Sequence, residues 1–344
     1  MIQAASNIHY REHFYRITAL WVICEAFAGG IMHGIKIPFS GMVISSLAVF
    51  CIILLARYVP ARLAILKATM IVALFKLMLS PHSPPTAYIA VFFQGLVGQL
   101  LFLRKTNFSL SAVLLAVLSL VESAIQRLLV LVILYGKAFW NAVDEFIKKI
   151  TGNTSIDNFS LLLAGVYIFI HAVVGVAVGL VASKVVKRTA RWEQQFSRFI
   201  ITDESYKSDP LLTKTKKKKR KLKWIFVIAW LLLFGFYLQS LVDPQGAFLP
   251  KDKLTEIFIR SALLLLAWYL FIGPLLMMGI KSALLASQRS RKIDMDATMQ
   301  LLPEMKMIFQ KSWQYSNTER SVARLKLFFK ILLINVLKTN NENL

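Results

Sequence analysis

The sequence predicts an all-α integral membrane protein, and three observations carry the prediction. Apolar residues make up 57% of the 344-residue chain, and the mean hydropathy is +0.59. They run in stretches longer than about 18 residues that are apolar on every face, which suits lipid rather than a soluble core. Lysine and arginine give a net charge of +23 and crowd into alternate connections, as the positive-inside bias requires.

Taken in order, the predicted spans are Ile17–Ile35, Phe39–Leu55, Leu63–Leu79, Ala87–Leu103, Leu110–Leu134, Phe159–Val181, Trp224–Val242 and Ile257–Ile280. The even connections are basic: Arg57, Arg62 and Lys67, then Arg104 and Lys105, then the block from Lys184 to Lys223. That block holds fourteen Lys and Arg against Glu193, Asp203, Glu204 and Asp209. The odd connections carry Lys36 alone, no Lys or Arg in Ser80–Pro85, balanced charges in Lys137–Asp157, and a slight acidic excess in Asp243–Glu256. The expectation is therefore eight spans in a plasma (inner) membrane with both termini cytoplasmic. The N-terminus leads into a full-length span with no A-x-A site, so no cleavable leader is expected.

Three regions follow. Residues 1–189 form a six-span bundle, 190–223 a basic cytoplasmic linker, and 224–344 a two-span region with cytoplasmic amphipathic helices. The fifth connection contains Ala138–Ile147, whose apolar spacing is helical and suits a surface lid. Pro274 predicts a kink in the last span. In the tail, Met295, Met299, Leu302, Met305 and Phe309 form one stripe on a helix interrupted near Pro303. A second helix follows around Thr318–Leu337. These helices suit lipid, a soluble partner, or packing against each other.

Ionisable groups inside spans are expensive and so are candidates for function. Glu25, Glu122 and His171 fall near the middles of spans 1, 5 and 6, with Lys76 and Arg127 nearer the outer ends of spans 3 and 5. A substrate pocket in the outer half of the bundle would draw on Lys76, Gln94, Glu122, Arg127 and His171, closed by connections carrying Lys36, His82 and Trp140. The competing reading is that Glu122 or Glu25 pairs with Arg127 or Lys76 and holds helices together. Glu122 and Gln126 share a face of span 5, while Arg127 lies a further ~100° round. Ala26, Gly30 and Gly34 form a small-residue ridge on span 1.

Several devices are absent from the sequence. There is no G-x-x-x-x-G-K-[ST] loop, no H-E-x-x-H and no cysteine pair at metal-ligand spacing. No cofactor or metal is expected, and Cys24 and Cys51 read as packing residues. The lysine run suits anionic lipid headgroups rather than nucleic acid, because the charges follow the membrane pattern.

The stretch Gly29–Gly41, a first outer loop of fitting length, and the Pro-rich connection before Ala87–Leu103 resemble the S-component, the substrate-binding subunit, of energy-coupling factor (ECF) transporters. The resemblance covers residues 1–185. It implies a non-enzymatic transport subunit that binds a small polar or vitamin-like solute for uptake driven by separate ATP-binding-cassette ATPase subunits, with a scaffold membrane subunit as a further partner. The C-terminal part is weakly similar to a shortened T-component, the scaffold subunit that couples to ATPases through short Arg-centred motifs. Gln288-Arg289-Ser290 with Arg291, and Ala323-Arg324-Leu325, are the matching positions; a guanidinium fork suits an acidic partner groove. Two alternatives stand beside transport: an intramembrane enzyme using Glu122 and His171, and a non-catalytic envelope assembly protein.

Overall fold

A computed structural model describes residues 2–28, 40–80, 83–103, 107–152, 158–201 and 251–338, and the described residues contain helices and no strand. Lipid offers the backbone no hydrogen-bond partners, so long apolar segments close their own bonds as helices. The helices are α1 (Ile2–Val22, running on as a π-helical segment Ile23–Ala28), α2 (Ser40–Tyr58), α3 (Ala64–Leu79), α4 (Pro85–Leu103) and α5 (Phe108–Thr151). They continue with α6 (Phe159–Gln195), α7 (Lys251–Ala267), a π-helical segment Trp268–Ile272, α8 (Gly273–Ser290), α9 (Lys292–Tyr315) and α10 (Ser321–Leu337).

Among the described residues, five stretches are long and apolar enough to cross a bilayer: Ser40–Tyr58, Pro85–Leu103, Phe108–Lys137, Phe159–Thr189 and Ser261–Gln288. The third expected span forms as α3, but its 16 residues rise only about 24 Å, less than a bilayer core. The expected seventh span, Trp224–Val242, and the lysine run lie outside the described residues.

The chain divides into two compact units. The first comprises Met1–Ala124, Ile170–Ser208 and Leu276–Leu344; the second comprises Ile125–Phe169 and Asp209–Leu275. In the first unit α1 is central, packing against α2, α3, α9 and α10. Ile17, Ala19, Leu20, Trp21 and Val22 are all but fully buried, which covers every face of the helix. Glycine sets the close approach of α4 to α3 and α2. A Cβ at Gly95 of α4 would fall 2.0 Å from Thr69 Oγ1, and one at Gly98 2.6 Å from Ile52 Cγ2.

The tail differs from the sequence reading at Pro303. α9 runs unbroken through Pro303, so no interruption forms there. Part of the stripe is covered within the protein: Met295 and Met305 are buried where α9 packs on α1 and α10, while Met299 is exposed. Pro274 does perturb its helix. It offers no N–H to the carbonyl four residues back, and the chain takes a π-helical turn over Trp268–Ile272 just before it.

In the second unit, the expected lid is the continuation of α5 beyond a break at Gly136, whose φ of 66° is open to glycine and strained for other residues. Asp144 on that continuation accepts hydrogen bonds from Ser160 N at 2.6 Å and Ser160 Oγ at 3.0 Å, tying the first turn of α6 to it.

Candidate functional site

The charged centre of the first unit is an ion pair inside the apolar helices. Lys76 Nζ lies 2.6 Å from Glu25 Oε2, and each side chain is 3% exposed. α3 presents Lys76 in its last turn, and Glu25 stands on the π-helical segment that continues α1. Such segments re-aim a side chain by one extra residue per turn and are frequent at functional sites. The pair neutralises itself, so the positive charge expected to meet an anionic substrate is already answered within the protein.

The first unit also buries uncharged polar groups. Gln94 of α4 is buried and donates from Nε2 to Ser45 Oγ at 3.1 Å. Its Oε1 has no hydrogen-bond partner among the described residues, and the same holds for Trp21 Nε1, Tyr88 OH and Ser119 Oγ. All four residues are at most 1% exposed. A buried polar atom left unsatisfied costs about 1–3 kcal/mol, so several in one unit call for an explanation.

A glycine seam that the sequence reading passed over sets Glu122 and His171 at one level of the first unit. A Cβ at Gly175 would lie 2.8 Å from Val117 Cα, and one at Gly179 2.5 Å from Val113 Cα. α5 and α6 thus touch backbone to backbone and run antiparallel. One turn further in the same register sets buried His171 level with Leu120 and Val121, beside Glu122. The start of α2 reaches the same level, since a Cβ at Gly41 would meet Ser123 Oγ at 2.6 Å. Gly-x-x-x-Gly in an apolar segment was the available signal.

The other expected residues fall elsewhere. Arg127 and Trp140 belong to the second unit: Arg127 is exposed, and Trp140 packs edge-on to Phe139 at 5.4 Å. Lys36 and His82 lie outside the described residues, as does the side chain of Arg289. Arg291 is half-buried. Arg324 stacks over Trp313 at 4.1 Å, so its guanidinium already has an aromatic partner.

A second polar cluster joins the tail to α1, and none of its residues was singled out from sequence. Arg16 is 4% exposed; it pairs with Glu304 at 2.8 Å and donates to the carbonyls of Val336 and Asn335 at 2.9 and 2.8 Å. Asn335 Oδ1 accepts from Ile201 N at 2.8 Å, and its Nδ2 donates to the carbonyls of Phe199 and Ile331. Beside this cluster Asp294 receives Tyr15 OH and Lys67 Nζ, each at 2.8 Å. Burial, then the hydrogen bond to Asp294, raises the Tyr15 phenol above its ordinary pKa, which keeps it a donor.

These helices define an all-helical membrane protein with a polar, charge-paired interior. No family model, curated protein or solved structure matches the chain. Among the described residues no group of three or more His, Cys, Asp or Glu is placed to hold a metal ion.

Proposed function

We propose that the chain is a transport subunit that takes a small polar solute into the interior of its first unit, for uptake driven by separate ATP-binding-cassette subunits. One observation carries the reading: Trp21, Tyr88, Gln94 and Ser119 hold buried polar atoms that have no hydrogen-bond partner among the described residues. Hydrogen-bonding capacity kept in a membrane interior at such cost suits a ligand that uses it. Because Glu25 answers Lys76, the geometry favours an uncharged, hydrogen-bonding solute over an anionic one.

The alternation of basic connections supports eight spans with both termini cytoplasmic, in a plasma (inner) membrane. The likeness to ECF S-components supports the ATPase partners and a scaffold subunit. No chemical step is assigned to this chain. The test is purification of the full chain from its native membrane, with extraction and mass spectrometry of any retained solute. ATPase subunits should co-purify, and Tyr88→Phe with Gln94→Leu should lose the solute. A preparation with neither nucleotide-binding subunits nor solute would reject transport.

The glycine-set register favours one second reading, an intramembrane enzyme that moves a proton between Glu122 and His171. Full cellular function of a Glu122→Gln protein would remove it.

A further inference from the structure

Independently of the transport reading, we infer that a cleft at the polar end of α1, α2 and α3 binds a phosphate group, as carried by a phospholipid headgroup or a small soluble phosphoester. The cleft holds about 680 Å³ and is lined by Arg11, Arg62 and Lys67 against a single carboxylate, Asp294. That carboxylate is already met by Tyr15 and Lys67. Arg62 is exposed and makes no ion pair among the described residues, and exposed Arg11 lies against Tyr15, 5.7 Å from its ring and interacting with its hydroxyl. The net field in the cleft is therefore positive, and the Arg62 fork, with the donors of Arg11 that Tyr15 leaves, remains for an anion with several oxygens.

The remaining walls narrow the ligand class. Phe14, Val59 and Ile293 give the cleft an apolar side. It opens where α2, a helix long and apolar enough to cross a bilayer, gives way to the Pro60–Arg62 connection. That is the depth at which headgroup phosphate meets acyl chain, and basic side chains there attract anionic lipid. A bare phosphate would use the cations and leave the apolar wall idle, so the two sources separate by experiment.

The full chain is purified in neutral detergent, and two probes are applied to the wild type and to Arg11→Ala/Arg62→Ala. Retained phosphatidylglycerol is counted by native mass spectrometry, and inorganic phosphate is titrated by calorimetry. Lys306→Ala/Lys326→Ala, which removes two exposed charges from α9 and α10, is the control. Binding is expected to weaken about tenfold or more in the cleft variant and to hold in the control. A response to the lipid alone assigns the bilayer as the source; a response to inorganic phosphate assigns a soluble phosphoester. If the double variant fails to fold, Arg62→Gln carries the same comparison. Equal binding in cleft variant and wild type, equal loss in the control, or no binding of either probe to the wild type overturns the assignment.

Discussion

Removing one partner of the Glu25–Lys76 pair should cost far more than removing both. At 2.6 Å and an effective dielectric of about 20, the Coulomb attraction is roughly 6 kcal/mol. Desolvating two ions consumes several kcal/mol each, so the pair as a whole adds little over apolar side chains of similar size. Lys76→Met, however, strands a carboxylate that is 3% exposed, and a stranded buried charge costs about 3–5 kcal/mol. Glu25→Leu should cost a similar amount, and Glu25→Leu/Lys76→Met should stay within about 2 kcal/mol of wild type.

The assay is detergent-driven unfolding in mixed micelles, followed by tryptophan fluorescence and read as a double-mutant cycle. The size of the coupling separates two states of the pair. Neutral hydrogen bonds between membrane helices average about 0.6 kcal/mol, so a coupling above about 2 kcal/mol means the groups are ionised. Single variants that each cost under about 1 kcal/mol and simply add would refute the ion pair as described.

Three further outcomes follow from close approach and burial. Gly179→Val should lower thermal stability by about 1–3 kcal/mol or more, because its Cβ would lie 2.5 Å from Val113 Cα, whereas Gly165→Ala has nothing within 4 Å and should leave the melting temperature unchanged. Arg16→Leu, which abandons Glu304 and two carbonyls, should release the tail to limited proteolysis, and Arg16→Lys should restore protection only in part, because an ammonium lacks the fork. Asn335→Leu should cost about 1–3 kcal/mol in the same unfolding assay, since Ile201 N and two carbonyls lose their partner.

The helices were legible because hydropathy reports directly on lipid. The spans around α2, α4, α5, α6 and α8 appear in the sequence as unbroken apolar runs, and the structure returns a long helix for each. Pairing was not legible in the same way. Glu25 and Lys76 are 51 residues apart, and a sequence gives their depth in a span but not the rotation of either helix. Both the pocket reading and the pairing reading therefore stood open for Lys76, and the structure shows it 2.6 Å from Glu25. The Met stripe was legible in part. An apolar face on a charged helix shows that something covers Met295 and Met305 but not what, and here the cover is α1 and α10.

α1 explains why the least legible features gather in one place. Between Arg16 and Glu25 this helix has almost no solvent face on which to put a charge, so each ionised group there must find a partner. Arg16 finds Glu304 and the carbonyls of α10, while Glu25 finds Lys76 of α3. The two positions are about 13 Å apart along the axis, one fastening α1 to the tail and the other to the membrane core. A rigid shift of α1 would strain both pairs at once, whereas rewinding of the π-helical Ile23–Ala28 segment would move Glu25 and leave Arg16 in place. A motion that carries Glu25 and spares the tail therefore begins in that segment, which is where the helix already departs from α geometry.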